Sequence, residues 1–534
     1  MSKIIGIYGG VSTHDPGAAY IENGKIIGVI QEEKLVRKKS HEIFDTFPNL
    51  SIDKIISQFN IDLKEIDFFC TSTPVGIPNS WWRKNNISTD KICVINHHTS
   101  HCAGAYYTSG FKEKTLIVSY DAGGIGMFKG NESTYGKIWL GENNKMNFIR
   151  SMPMSYSASI PCMYAMVTRW LGWEVNKDEG KVTGLAAYGK YNKYMYEAFE
   201  KLCWFEKESL NFIPQGKAES ATGISIVLNY LTKINQLSRE DLAYNMQLFL
   251  ENRMMELFNY LHELYPDYKK IVVAGGVFAN VKLNQRLNEL DWVDEIYIYP
   301  AMNDAGLALG SALMKSVQIG ERISEKFDDV FLGVEYSKTE VDSLWKKYSG
   351  IKRIKYDKKI VAKYLNDGNI IGWFKGRFEF GPRALGARSI LVNPTEKKTH
   401  VDLNIRLGRD EIMPFAPIVL AEKANEVFVT NNKSHYTAEF MTLCYQTREE
   451  WIDKIPAVVH EIDKSARPQI VYKKNPFYDI LVEYEKISKI PVLLNTSFNI
   501  HGEPIIDAPE QALGHLRNNV IDYLVIEDFI YYKG

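Results

Sequence analysis

The sequence has little that would anchor or cross-link it. Cysteine is scarce, six in 534 residues (Cys70, Cys93, Cys102, Cys162, Cys203 and Cys444), and no two stand at CxxC spacing. That usage argues against a disulfide framework or zinc ribbon and fits a reduced, cytosolic protein. No apolar run approaches the ~18 residues of a membrane-spanning helix, and the opening MSKIIGIYGG reads as a strand, not as a charged-then-apolar leader. Charge of one sign is also lacking: 64 Lys and Arg stand against 65 Asp and Glu. No global field therefore draws the chain onto DNA or an anionic membrane, which leaves only a local basic groove for nucleic acid. There is no GxxxxGK[ST] loop and no GxGxxG between a strand and a helix, so P-loop and Rossmann nucleotide binding are set aside. No fixed-period repeat and no low-complexity tract are found either.

What is present is the balance of a packed protein, 45% hydrophobic and 24% charged, with length for roughly two or three domains. Hydrophobic patterning predicts strands over 3–8, 17–21 and 26–31 with a turn at Asn23-Gly24, then over 67–71, 91–95, 115–120 and 270–274. A long core helix is predicted over 237–264. Motif density falls around 330–350, and the boundary placed at Glu335 gives units 1–335 and 336–534.

In the first unit, His97 and His101 project from one helix face a turn apart, as a pair of metal ligands requires. That spacing suits a core-satisfied pair equally well until Asp121, at a strand end, and Asp304, at a helix start, are added. Two imidazoles and two carboxylates suit Fe(II), Mn(II) or Zn(II) with positions left open. The paired glycines Gly123-Gly124 and Gly275-Gly276 each follow a strand, where backbone N–H groups can approach an anion; they serve equally as simple turns. His14, in the first strand turn, is placed to take a proton from a hydroxyl, or to be an ordinary buried histidine. Trp81, Trp82, Trp170 and Trp173 lie in loops that would shape an acceptor pocket, where they either stack on a ring or pack.

In the second unit, Lys375, Arg377, Arg383 and Arg388 gather around Glu379 and several glycines, a cluster that is costly unless it binds an anion. Arg406, Arg409 and Arg467 follow, and Asn495-Thr-Ser497-Phe-Asn499 closes the series after an apolar strand predicted over 491–494.

Together with Glu179-Gly-Lys181, Gly184-Leu-Ala-Ala-Tyr-Gly189, Gly275-Gly-Val-Phe-Ala-Asn280 and Gly381-Pro-Arg-Ala-Leu-Gly386, these motifs resemble the nodulation-factor and antibiotic O-carbamoyltransferases over nearly the whole chain. The resemblance implies an α/β fold: an actin-like, two-lobed N-terminal domain similar to the tRNA threonylcarbamoyladenosine transferase subunit, and an α+β YrdC-like C-terminal domain. It implies that ATP (with Mg) and carbamoyl phosphate form carbamoyl-adenylate at Lys375, Arg377, Arg383, Arg388, Arg409 and Arg467, with Asn495 and Ser497 orienting the carbamoyl group and Asn499 among the cofactor-binding residues. It further implies transfer to a hydroxyl with His14 as base, Fe(II) on His97, His101, Asp121 and Asp304, and nucleotide contacts from Gly123, Gly124, Glu179, Lys181, Gly275, Gly276 and Asn280. The expected partner is a small-molecule hydroxyl acceptor and not a membrane; a hydroxymethylated base in DNA is less favoured, a non-catalytic nucleotide-binding module less still, and a homodimer is admissible. One departure stands out: the family's usual lysine before Arg-Glu-x-Phe-Arg-Pro-Phe-Ala has no counterpart in Arg406-Leu-Gly-Arg409-Asp-Glu-Ile-Met-Pro-Phe-Ala416, which leaves Arg406 as the candidate replacement.

Overall fold

The structure is a computed structural model that describes residues 2–10, 13–39, 47–72, 79–124, 133–153, 159–213, 238–321, 326–409 and 414–534. Two compact units are formed, one from Met1–Gly28 with Ser40–Phe327 and the other from Val29–Lys39 with Asp328–Gly534. The division thus falls upstream of residue 335, and a segment from near the start of the chain belongs to the second unit. Backbone hydrogen bonds explain the upstream shift: Phe378 N donates to Val334 O at 3.0 Å, Phe380 N to Val330 O at 2.7 Å, and Gly333 N to Phe378 O at 2.8 Å. Residues 328–335 are therefore stitched to a loop of the second unit.

In the first unit, strands β1 (Lys3–Tyr8), β2 (Gly17–Glu22), β3 (Lys25–Gln31), β4 (Phe68–Thr71) and β5 (Ile92–Val94) form a sheet of order β3-β2-β1-β4-β5. β6 (Thr115–Gly124), β7 (Thr134–Glu142), β8 (Lys145–Pro153), β11 (Lys270–Ala274) and β12 (Glu295–Ile298) form a second, of order β12-β11-β6-β7-β8, while β9 (Trp204–Glu206) and β10 (Asn211–Ile213) make a separate hairpin. Read outward from β1 and from β6, the two orders coincide: an antiparallel neighbour on one side, two parallel neighbours on the other. This is the duplicated, two-lobed actin-like plan. The duplication left no sequence period because a sheet needs only an alternating burial pattern, which many sequences satisfy.

Two helices fix the parts that matter for the site, His97–Ser109 and Leu307–Gln318, which pack against each other and, in the case of Leu307–Gln318, against β1. Their approach is set by glycine: a Cβ on Gly310 would stand 2.0 Å from Ser100 O, and one on Gly6 1.9 Å from Ala308 O. The predicted long helix begins at Arg239, where Ser238 Oγ accepts from Asp241 N at 3.0 Å, and runs to Leu264; residue 237 lies outside the described residues. Among the described residues no helix is long and apolar enough to cross a membrane.

The second unit is built on a mixed sheet of β13 (Ile351–Lys355), β14 (Ile371–Phe374), β15 (Arg388–Val392), β16 (Ala416–Leu420), β19 (Gln469–Val471), β20 (Val492–Ser497), β21 (Tyr523–Ile526) and β22 (Phe529–Lys533), in the order β13-β22-β21-β14-β15-β20-β16-β19. The short strands β17 (Tyr445–Gln446) and β18 (Ser465–Ala466) pair beside it. Parallel pairs β14/β21 and β16/β19 sit among antiparallel ones, the α+β composition expected of a YrdC-like unit. β20 extends beyond the predicted strand, so Asn495, Thr496 and Ser497 are part of the sheet and not of a turn after it.

Candidate functional site

Asn96 caps the His97–Ser109 helix by accepting from Thr99 N at 3.2 Å, so His97 opens the helix and His101 follows one turn on. Their rings are 4.8 Å apart at 75°. Asp121 arrives from β6 and Asp304 from the turn leading into the Leu307–Gln318 helix. One ligand atom from each of the four lies within 4.8 Å of the others, and all four residues are buried. His97 Nε2 is 3.2 Å from Asp121 Oδ2 and 3.6 Å from Asp304 Oδ1, while His101 Nε2 is 3.1 and 3.4 Å from the same two oxygens. Neither ring nitrogen of His101 makes a well-aligned hydrogen bond. A fully buried imidazole whose Nε2 stands 3.1 and 3.4 Å from oxygens of two carboxylates, with no aligned hydrogen bond to either, fits a divalent cation held between the four.

The electrostatics describe the same need. Burial pushes His101 down, but contact with Asp121 and Asp304 outweighs it and holds the ring up at about 9. His14 behaves alike: burial opposes its charge, Asp304 and then Asp15 overcome it, and its pKa is raised to about 10. Burial works against ionised Asp121 too, yet the surrounding histidines hold it well below the carboxylate range. His14 Nδ1 lies 3.0 Å from Asp15 Oδ2, and its Nε2 lies 3.8 Å from Asp304 Oδ2.

Three further residues, Asp15, Tyr8 and His98, complete this centre. Asp15, at φ 53 in the left-handed region that Asp tolerates, orients His14 and is itself held by Asn303 Nδ2 at 3.0 Å. The Tyr8 hydroxyl donates to Asp304 from the end of β1. His98 is fully buried; burial lowers it to about 3, so the ring is neutral. Its Nε2 reaches Thr134 O at 2.8 Å and its Nδ1 lies 3.2 Å from Ser119 Oγ, which ties the ligand helix to β6 and β7.

The glycine turns meet beside this centre. Gly123 N donates to Asp121 Oδ1 at 2.8 Å, and a Cβ on Gly276 would lie 3.8 Å from Asp121 Cβ. Gly275, at φ 101, has to be glycine because a Cβ there would stand 2.3 Å from Tyr120 O. Gly124 ends β6, and residues 125–132 lie outside the described residues. Glu179 is raised by burial and lies within the field of His14; Lys181 pairs with Asp178 at 3.0 Å. Asn280 caps the Val281–Asn288 helix through Leu283 N at 3.0 Å and joins a polar network with Gln247 and Thr183. Trp81 and Trp82 pack on each other and on Phe69, and Arg239 stacks over Trp173, so these three rings serve packing. Residues 73–78 and 154–158 of those loops lie outside the described residues.

In the second unit the basic residues divide by environment. Arg383 makes no hydrogen bond or ion pair among the described residues, and burial together with the neighbouring Arg467 charge holds its pKa well below the usual value. Two guanidiniums close enough for one charge to act on the other are what an anion would neutralise. Arg409 donates to Thr496 Oγ1 at 3.3 Å and Ser497 Oγ at 3.2 Å, and Asn495 Nδ2 to Ala384 O at 2.9 Å, so this end of β20 joins the Arg383 loop. Arg388 differs from expectation: it is fully buried, its terminal nitrogens donate to Lys375 O, Gly376 O and Ala387 O, and it stacks 3.5 Å from the Phe374 ring centroid. Arg377 likewise donates to the carbonyls of Leu332 and Gly333. Lys375 lies 3.6 Å over Tyr356 and is lowered by burial. Asn499 turns the chain by donating to Ile500 O and Glu503 O, each at 2.9 Å. Arg406 points away to a surface pair with Asp522 at 2.8 Å. Residues 410–413 lie outside the described residues.

Comparison with known proteins places this geometry in a lineage. The family described as Carbamoyltransferase N-terminus matches residues 3–88 and 79–313, and Carbamoyltransferase C-terminus matches residues 362–533. An uncharacterised protein of Methanocaldococcus jannaschii is 32% identical over 95% of this chain and 80% of its own length. Nodulation protein NolNO of Sinorhizobium fredii is 28% identical over 97% and 79%, and nodulation protein NolO of Bradyrhizobium diazoefficiens 31% over 82% and 79%. Among solved structures, HypF of T. kodakarensis overlaps 61% of this chain, and the chain spans only 49% of HypF, with TM-score 0.40 and 11% identity. With both family regions matched in order along the chain, the protein belongs to the carbamoyltransferases and is a carbamoyl-transferring enzyme.

Proposed function

We propose that the protein is an ATP-dependent O-carbamoyltransferase whose second unit makes carbamoyl-adenylate and whose first unit transfers the carbamoyl group to a hydroxyl of a small molecule. The first half balances: carbamoyl phosphate and water give carbamate and inorganic phosphate, and a carbamate oxygen then displaces pyrophosphate from the α-phosphorus of ATP. The observation that carries the reading is Arg383 beside Arg467, a like-charged pair without a neutralising carboxylate on Arg383 among the described residues. Arg409 with Ser497 borders the same loop through Asn495, a suitable place to orient a planar carbamoyl group.

For the second half, the acceptor oxygen attacks the carbamoyl carbon, AMP departs, and the acceptor proton needs a base. His14 is placed for that role, with Asp15 on Nδ1 and Nε2 directed toward the centre. His97, His101, Asp121 and Asp304 would hold a divalent ion, Fe(II) first and Mn(II) or Zn(II) next; such an ion supplies positive charge for a phosphate and offsets the carboxylate field that keeps His14 protonated.

The deciding experiment is pyrophosphate release from ATP with and without carbamoyl phosphate, with Fe(II) and no acceptor. Release only when carbamoyl phosphate is present is expected; release that ignores carbamoyl phosphate overturns the adenylating half. His14→Asn should keep that release and abolish carbamoyl transfer, and wild-type transfer by this variant would remove His14 as the base.

A further inference from the structure

We propose that Val29–Lys39 is a strut that sets the arginine loop of the second unit, with Lys34 as its positioning residue. The loop runs from Glu379 to Arg388. Its inner side is closed by Glu379, 1% exposed, whose Oε1 accepts from the backbone N–H groups of Leu385, Ala387 and Arg388 at 2.8, 3.3 and 3.2 Å. Gln469 Nε2 and Asn475 Nδ2 both donate to Leu385 O, and Asn495 Nδ2 to Ala384 O. These contacts hold the half of the loop that follows Arg383. The half before it has a different support.

That support is the strut. Gly381, at φ 107, is the point where the loop turns through a conformation open to glycine. Both its backbone polar atoms are taken by strut side chains: Gly381 N donates to Gln31 Oε1 at 3.2 Å, and Lys34 Nζ donates to Gly381 O at 2.9 Å. The Lys34 ammonium also lies 4.0 Å from the Phe378 ring centroid. Arg37, in a left-handed cap after the Glu32–Val36 helix, donates to Ile505 O at 2.5 Å and Pro504 O at 2.7 Å. Ile505 packs with Phe378 and Ala384, so the strut grips the loop and the chain beneath it together.

Lys34 is 4% exposed, and burial lowers its pKa to about 8 even though Glu33, Glu379 and Asp507 oppose the shift. A methionine or leucine would fill that volume without desolvating a charge, so packing alone does not account for a lysine there; the bond to Gly381 O does. The consequence falls on Arg383, two residues beyond Gly381. Having no hydrogen bond of its own among the described residues, its guanidinium is aimed by the backbone that carries it. Fixing Gly381 therefore fixes where Arg383 meets an anion.

The strut stands on geometry alone; its effect on turnover rests on the adenylating reading above, and the two are tested separately. Hydrogen exchange on the full chain reads the first. Lys34→Met should raise exchange of the backbone amides over 381–388 about tenfold while leaving the β14 and β21 amides as in the wild type. Lys34→Arg, which keeps a donor, should restore protection. Unchanged exchange over 381–388 in Lys34→Met overturns the proposal; should that variant fail to fold, Gln31→Leu, which removes the acceptor for Gly381 N, is read the same way. Pyrophosphate release reads the second: the ATP concentration for half-maximal release should rise about tenfold in Lys34→Met. If the wild type releases no pyrophosphate, the adenylating reading fails while hydrogen exchange still decides the strut.

Discussion

His101 Nε2 lies 3.1 Å from Asp121 Oδ2, within hydrogen-bonding reach, yet neither ring nitrogen of His101 completes a hydrogen bond. Such an arrangement is stable when a cation stands between the partners. Isothermal titration with Mn(II), which is stable in air, should find one tight site per chain. Either His101→Ala or Asp121→Asn is expected to weaken it at least 100-fold, because each removes a ligand from a buried set.

The same pair predicts a different pH response with and without metal. In the metal-free protein His101 has a pKa of about 9 against 6.5 for an ordinary histidine. The stability that this proton contributes is complete below about pH 6.5 and is lost as pH rises through about 9. His14, raised to about 10, adds in the same direction. Thermal melts from pH 6.5 to 9 should therefore show a falling Tm for the metal-free protein. With saturating Mn(II) the decline should vanish, since metal and proton compete for the ring. A metal-free Tm that rises over this range would contradict the assignment.

Two arginines five positions apart in one motif should behave as different residues. Arg383→Ala is expected to abolish pyrophosphate release with little loss of stability, because it relieves repulsion with Arg467. Arg388→Ala should cost roughly 3 kcal/mol or more, since it empties a fully buried position and strips donors from three carbonyls. Urea unfolding alongside the release assay separates the two.

Arg406 and Arg409 divide similarly. Arg406 makes a surface pair with Asp522, so Arg406→Ala should stay within about 1 kcal/mol of the wild type and retain activity. Arg409→Ala removes the donors on Thr496 and Ser497 and should lower turnover at least 10-fold without a comparable change in Tm.

A C-terminal fragment beginning at residue 336 should not fold as a compact domain. It lacks both Val29–Lys39 and the 328–335 segment that bonds to Phe378 and Phe380, leaving Phe378 and Ile505 without their cover. Strong binding of a hydrophobic dye by the fragment, absent in the full chain, is the expected signature.

Much of this was legible from residues alone. β1 and β11 begin and end where alternation and apolar runs placed them, because strand formation there needs only local pattern and a glycine turn to stop it. His97, His101, Asp121 and Asp304 were identifiable by type and position, since few residues bind hard or borderline cations and strand ends are where they converge. What could not be read was partnership. Nothing local in the sequence announces that Asn280 caps a helix, or that Tyr8 bonds to Asp304 and His98 ties its helix to Thr134. That residues 328–335 pack with the second unit was not legible, because composition does not report the long-range backbone bonds between 328–335 and the 378–380 loop.

The arginines mark the limit most clearly. Sequence determined that a motif dense in guanidinium groups and glycine lies in the second unit, and that this density points to an anion. It did not determine which guanidiniums are left free of backbone partners, because an arginine's five donors bond to a backbone carbonyl as readily as to a phosphate oxygen. Tertiary structure decides that by where it brings the carbonyls: around Arg388 and Arg377 it supplies them, and near Arg383 it brings the charge of a second arginine.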